Sequence, residues 1–369
     1  MLDKTYKAWK KELVQACNAH KTPLNIQFEL TGRCNLDCKM CYVHNQDSNK
    51  LKDQELSTEQ WKAIMDDAYN NGMMFATLTG GECLLRDDFK ELYLHLYNKG
   101  VIVAVLSNGT MMDDDMVMFL KDHKPEAVRI SIYGSTEESY RNVTGHFGRD
   151  RAMNAVLKLK NAGVNVQANV TGSSYIAPDY INTLKFIQSN GVRPVFAELY
   201  LFPKRYDPTD DSHYISMDDT VKLSATRQKL VGRECLPVDS VPEAGGNSSN
   251  AQTYGLKCNA GNSHAAISWR GEMYPCSCLY ECGGVSLLEN KFDDAWKMVV
   301  EKASKILQPV ECEGCPYDKV CPKCIAIRTS SLYSGHCNPD ICELTKRLVA
   351  AGVKKLDTPQ EADEDEFEH

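Results

Sequence analysis

Short β-rich runs alternate with amphipathic segments of helical period from Leu24 to Leu201. The strand candidates are LNIQFEL (24–30), MFATLT (74–79), VIVAVLS (101–107), AVRISI (127–132), VNVQANV (164–170) and VFAELYL (195–201). Helical patterns lie between them, near 58–71, 87–99, 113–121, 149–162 and 178–190. Gly72, Gly100, Gly163 and Gly191 each stand where a helix should stop before a strand. Regular strand–helix alternation predicts a parallel sheet with helices packed outside it. Six such units are fewer than the eight of a closed barrel, so the expected fold is α/β, an open six-unit partial (β/α) barrel.

The rhythm breaks after residue 201. PKRYDPTDDS (203–212) is turn-rich, 216–231 reads as one helix, and PVDSVPEAGGNSSNAQ (237–252) as a loop or linker. Beyond Cys258 the periodicity fades and cysteines crowd in, the composition of a small domain organised by metal instead of an apolar core. The expected organisation is an amphipathic N-terminal helix over 1–23, the barrel over 24–201, a bridge over 202–257, a cysteine-rich iron–sulfur domain over 258–355 and an acidic tail over 356–369.

Composition narrows the function class. The chain has 369 residues, 43% hydrophobic and 25% charged, in the ordinary range for a globular protein. Its formal charge is −8, but Glu361 to His369 holds six acidic residues and no Lys or Arg, so the remainder carries −2. That tail reads as solvated and disordered, and no basic face for nucleic acid is expected. No apolar run approaches membrane-spanning length and the first residues lack a secretory pattern, so the expected location is the cytoplasm. Sixteen cysteines are unusual there. Cytosolic thiols stay reduced, and this many need an occupant, for which metal is the natural candidate.

Cys34, Cys38 and Cys41 form a C-x3-C-x2-C run directly after the first strand candidate. A tight loop can wrap three thiolates around a 4Fe–4S cube and leave one iron without a protein ligand, as a substrate-chelating metal requires. A zinc knuckle borrowing a distant ligand, with His44 nearest, is the competing reading. LTGGE follows the second strand, Ser107-Asn108-Gly109 ends the third, and Ser131 lies in SIYG at the end of the fourth. All fall at strand C-termini, where open parallel sheets bind ligands.

Together these motifs resemble the radical SAM superfamily. The resemblance implies that Cys34, Cys38 and Cys41 ligate a 4Fe–4S cluster whose fourth iron is chelated by S-adenosyl-L-methionine (SAM). It places Met40 by the adenine, unless Met40 is ordinary packing. Gly80, Gly81 and Glu82 would hold the SAM amino group, with Ser107, Asn108 and Ser131 as polar contacts. Two glycines allow close backbone approach to a ligand, and a carboxylate complements an ammonium. Relatives often carry an Arg-Gly pair where Thr144-Gly145 stands here, with Arg141 out of register, so the partner of the SAM carboxylate stays open.

Cys258 is followed by twelve residues, Gly271, four more and Cys276; later come Cys312-x2-Cys315-x5-Cys321-x2-Cys324, then Cys337 and Cys342. This resembles the SPASM extension of radical SAM enzymes, which holds two auxiliary 4Fe–4S clusters and would bring the total to three. The family's last internal spacing is three residues where this chain has two. The resemblance assigns Cys258, Cys276 and Cys324 to the nearer cluster and Cys312, Cys315, Cys321 and Cys342 to the outer one. Cys278 or Cys282 could complete the nearer set, or its fourth iron could stay open. A structural zinc ribbon is the competing reading. Cys17, Cys83 and Cys235 read as structural thiols, and His264 and His336 as polar surface residues.

The resemblance implies reductive cleavage of SAM to a 5′-deoxyadenosyl radical that abstracts hydrogen from substrate, with a flavodoxin- or ferredoxin-like electron donor. The expected substrate is a ribosomally made peptide, oxidised or crosslinked. A small hydroxylated metabolite such as a sugar or aminoglycoside is the alternative, and a non-catalytic electron carrier the other. Sulfatase-maturing relatives usually carry Asp where Ser277 stands here. Glu198, Tyr200 and Arg205 follow the last strand and could face substrate. No catalytic acid or base is assigned.

Overall fold

In the computed structural model the described residues are 4–43, 48–197, 210–238, 240–244, 252–322, 324–329 and 331–356. His44, Glu198, Tyr200, Arg205 and the acidic tail lie outside them.

Helices and strands alternate as α1 (Lys4–His20), β1 (Asn25–Glu29), α2 (Thr58–Asn70), β2 (Phe75–Thr79), α3 (Phe89–Tyr97), β3 (Ile102–Ser107), α4 (Asp114–Asp122) and β4 (Ala127–Ser131). They continue as α5 (Glu137–Thr144), α6 (Arg149–Asn161), β5 (Val166–Thr171), α7 (Tyr180–Ser189), β6 (Pro194–Ala197) and α8 (Met217–Leu230). The cysteine-rich part adds β7 (His264–Ile267), β8 (Glu272–Tyr274), β9 (Val285–Ser286), α9 (Phe292–Ser304), α10 (Ile325–Arg328) and α11 (Pro339–Ala350).

The sheet runs β6-β5-β4-β3-β2-β1-β7-β8-β9, parallel from β6 through β7, with β6 and β9 as its two edges. It is therefore open, as expected. It is also longer than expected: β7 pairs in parallel with β1 in the register Asn25↔His264, and β7–β9 form an antiparallel meander. α9 joins the main core through Phe292, Ala295, Trp296 and Val299. Residues 264–304 thus share the barrel's sheet and core. Around the cysteines the apolar packing shrinks to small clusters, built from residues on both sides of α9 in the chain, each with cysteines in it or against it.

The two faces of the sheet differ in polarity. Ile26, Phe28 and Leu30 are fully buried under the helices, and Phe28 meets Trp61 of α2 edge-on with centroids 5.9 Å apart. Trp61, Ile64, Met65 and Ala68 line one helical stripe, and a Ser57–Gln60 capping box starts that helix. The alternate positions Asn25, Gln27 and Glu29 share the opposite face with their register partners Phe75, Thr77 and Thr79. Arg129 and Gln167, also register partners, hydrogen-bond there at 3.0 Å. A polar inner wall suits a lumen that receives polar ligands better than one filled by core.

α1 spans the N-terminal ends of the strands, where Lys10 and Tyr6 reach Glu126 at 2.7 and 2.9 Å. Trp296 Nε1 donates to the Lys21 carbonyl at 2.6 Å and ties this helix to α9. The opposite, C-terminal rim carries the cysteine loop.

Candidate iron–sulfur and SAM site

The loop after β1 is fixed from three directions. On one side Leu30 N donates to Thr79 O (2.9 Å), Gly81 N to Thr31 O (2.8 Å) and Glu82 N to Arg33 O (2.8 Å). On a second side Asp37 N and Lys39 N donate to Thr144 O (2.8 Å) and Val143 O (3.0 Å) at the end of α5. On the third, Arg33 forms a two-pronged pair with Glu55, both contacts at 3.1 Å, and Thr31 also donates to that carboxylate. Arg86, 3.7 Å from Glu55, holds the Leu30 and Leu56 carbonyls and pairs with Asp88. A buried ionic knot of this kind is strong only with every partner present.

This geometry gives Gly80 and Gly81 a structural reason beside the expected one. A Cβ on Gly80 would stand 2.4 Å from Thr31 O, and one on Gly81 2.2 Å from Arg33 O. The glycines let the cysteine loop lie against the end of β2. Thr144-Gly145 likewise serves the loop: Thr144 O receives Asp37 N, and Gly145, with φ of 75°, ends α5 against Asp37. Arg141 lies instead over the Phe147 ring.

Cys34, Cys38 and Cys41 come together on this loop. Burial pushes the Cys34 thiol up to about 12 and the Cys38 thiol well up, and the negative charges of the triplet raise one another. Three crowded, half-buried thiols cannot all be thiolates without a compensating cation among them. Iron supplies that cation, so the donor set fits a cluster. Among the described residues no three His, Cys, Asp or Glu side chains close on a single ion. A cubane seats each thiol on a different iron and takes a wider triplet.

Behind the thiols lies a hydrogen-bond network centred on Glu82, which is 1% exposed. Its Oε1 accepts from Ser107 Oγ (2.9 Å) and Leu84 N (3.1 Å), and its Oε2 from Asn108 N (2.7 Å). Burial pushes this carboxyl up, opposed by the donors that favour its charged form. A carboxylate has about four acceptor positions, so Oε2 keeps one for a further donor. Asn108 Nδ2 donates to Asn35 Oδ1 at 2.8 Å and lies 3.9 Å from Cys34 Sγ; Asn35 in turn reaches Thr110 at 2.8 Å. Cys83, fully buried, points its thiol at Leu106 O (3.3 Å) and fits the structural role expected of it.

Ser131 is half-buried on the same rim as Tyr133, whose hydroxyl is pushed well up by burial and by the negative charge of Cys38 and Cys41. Met40 is buried in the main core. Asn35, Thr110, Tyr133 and Tyr140 were missed by sequence reasoning. Tyr140 is fully buried near Cys38, with a hydroxyl that finds no partner among the described residues. A polar side chain two to four residues from a motif residue was the available signal.

The C-terminal cysteines fall into two groups of five. Cys276 is linked to Cys258, Cys278 and Cys282, and Cys278 to Cys324. The second group contains Cys312, Cys315, Cys321, Cys337 and Cys342, with the last two sulfurs 3.2 Å apart. The structure thus brings both alternatives, Cys278 and Cys282, to the nearer group, and both Cys337 and Cys342 to the outer one. His336 is exposed on Glu311, as expected of a surface residue. His264 is not: it is 8% exposed, on β7. It was misread because the four-residue strand that buries it went unrecognised.

Comparison with known proteins agrees with this geometry. Residues 28–187 match the Radical SAM superfamily. The AdoMet-dependent heme synthase of Methanosarcina barkeri is 25% identical over 332 residues, 82% of this chain and 91% of that protein. The sporulation killing factor maturation protein SkfB of Bacillus subtilis is 36% identical over 151 residues, 40% of this chain but only 36% of SkfB. Streptococcus suis SuiB bound to its precursor peptide SuiA shares the fold at a TM-score of 0.65 and 15% identity, over 93% of this chain and 82% of SuiB. No helix among the described residues is long and apolar enough to cross a membrane. SAM and a 4Fe–4S cluster are the cofactors of that family, and the chain carries a radical SAM domain across residues 28–187.

Proposed function

We propose that this protein oxidatively modifies a ribosomally made peptide by radical SAM chemistry, with two auxiliary clusters in its C-terminal region. The observation that carries the reading is the half-buried three-thiol loop with the buried Glu82 network beneath it. When bound, SAM and the reduced first cluster supply a 5′-deoxyadenosyl radical by carbon–sulfur cleavage, one electron coming from a flavodoxin- or ferredoxin-like donor. Cys34, Cys38 and Cys41 would hold that cluster. Glu82 would offer its remaining Oε2 acceptor position to the SAM ammonium, oriented by Ser107 and Asn108. Ser131 and Tyr133 would line the same rim. Cys258, Cys276 and Cys324 would hold the nearer auxiliary cluster, and Cys312, Cys315, Cys321 and Cys342 the outer one. Cys337 then acts as donor to the Cys342 sulfur, consistent with burial and that contact pushing Cys337 up to about 12.

The peptide is supported by SkfB, whose name describes maturation of a killing factor and which is 36% identical over 151 residues of this chain. SuiB, of the same fold, binds its precursor peptide. A second reading, a tetrapyrrole substrate, is favoured by the heme synthase match, which spans 91% of that relative.

The test is anaerobic reconstitution with iron and sulfide, then dithionite, SAM and either a precursor peptide encoded beside this gene or an iron tetrapyrrole. Peptide modification predicts that the peptide accelerates 5′-deoxyadenosine release and loses two hydrogens per bond formed. A mass change in the tetrapyrrole with an inert peptide overturns it in favour of the second reading.

A further inference from the structure

Arg328 ends α10 on the segment that links the two cysteine groups. Its backbone N–H donates to Cys324 O at 2.9 Å, its carbonyl receives Asn338 N at 2.7 Å, and Thr329 bridges to Cys337. The side chain is 5% exposed. Its Nη2 pairs with Asp318, whose backbone N–H donates to Cys315 O at 3.1 Å, and Nε is buried without a partner. Asp318 is 44% exposed, so its charge is partly screened by water. A buried guanidinium with one half-solvated counter-ion is costly unless more negative charge lies against it. The nearer group is built differently: the Lys302 ammonium is spent on the main-chain carbonyls of Cys282 and Gly283 at 3.1 and 2.9 Å.

A cube held by four thiolates carries two net negative charges when oxidised and three when reduced, so a fixed cation favours the reduced form. We propose that Arg328 is a positioning residue for the outer auxiliary cluster: its permanent charge, held on the Cys315–Asp318 turn, sets that cluster's reduction potential above the value its thiols alone would give. The inference rests on the outer cluster proposed above. One electron enters the cube from the reductant, and no bond is made or broken.

The experiment is a mediated dithionite titration of the full, iron-loaded chain followed by electron paramagnetic resonance. The outer cluster's signal is the one that Cys315→Ala removes, with a loss of about four irons per chain. Arg328→Gln should lower the ratio of reduced to oxidised outer cluster at a given potential by at least tenfold, about 59 mV for one electron. Arg328→Lys should keep most of the wild-type potential, and the other signals should not move. Asp318→Asn removes the counter-charge and should move the outer midpoint upward, which decides the matter if Arg328→Gln does not retain iron. An unchanged outer midpoint in Arg328→Gln, or an unchanged or lowered one in Asp318→Asn, overturns the role of Arg328. A wild-type protein with no signal sensitive to Cys315→Ala overturns the cluster reading itself.

Discussion

Gly81→Ala is expected to empty the first cluster site while leaving the C-terminal thiols in place. The added Cβ would stand 2.2 Å from Arg33 O and 2.7 Å from Arg33 C, main-chain atoms directly before Cys34. Neither can retreat without breaking the 2.8 Å bond from Glu82 N to Arg33 O and displacing the first ligand. Overpacking of this kind costs about 3 kcal/mol. The chemical readout is sharper: bound iron should fall by about four per chain and 5′-deoxyadenosine should become undetectable. Gly163→Ala is the control. It has φ of 75° but open space around the new Cβ, so it should cost about 1 kcal/mol and leave iron unchanged. Wild-type iron in Gly81→Ala would show that the loop does not lie against β2 as described.

Glu82→Gln should fold, less stably, and bind SAM far more weakly. Leu84 N, Ser107 Oγ and Asn108 N all donate to this carboxylate. An amide turns one oxygen into a donor, and in either orientation at least one main-chain N–H faces it. A buried donor left without an acceptor costs about 1–3 kcal/mol. The substitution also removes the negative charge offered to an ammonium, and loss of one partner from a buried charge pair costs roughly 2–5 kcal/mol. Calorimetry should therefore show SAM affinity reduced by about a hundredfold or more, with a lower melting temperature. Ser107→Ala removes one donor and keeps the charge, and its SAM affinity should fall much less. Unchanged SAM affinity in Glu82→Gln would remove the ammonium role from this residue.

Much of the barrel was legible because each helix and strand is specified locally. The five helical patterns between the candidate strands appear as α2, α3, α4, α6 and α7, and Gly100, Gly163 and Gly191 take the positive φ expected of helix stops. The missed elements include α9 and α11, of 13 and 12 residues, in the cysteine-rich stretch where the periodicity was read as fading; the others are short. α5 has eight residues, although its Thr136–Ser139 capping box was a usable signal. The β7–β8 hairpin has strands of four and three residues around Gly271, too brief for a period to show, and its pairing to β1 is a long-range event. That omission also explains the misplacement of His264.

The site was legible to the same degree. Cysteine spacing is local chemistry, so the triplet could be read from the chain. What the triplet leans on could not be read so directly: Glu55 and Arg86 approach from other segments, and the glycines serve a backbone contact that only the folded sheet reveals. Likewise, five thiols meet in each C-terminal group because three-dimensional packing gathers them, and spacing alone could not choose between Cys337 and Cys342.

The central claim is that three thiols hold a cluster whose remaining iron is free for the amino acid moiety of SAM. Electron–nuclear double resonance on the reduced, iron-loaded protein with SAM labelled at its amino nitrogen tests this directly. The account predicts a nitrogen coupling that is present in the wild type, absent in Cys38→Ala and unaffected by Cys315→Ala. A reduced cluster that shows no coupling to labelled SAM, or protein prepared without air that carries zinc and no iron, would contradict it.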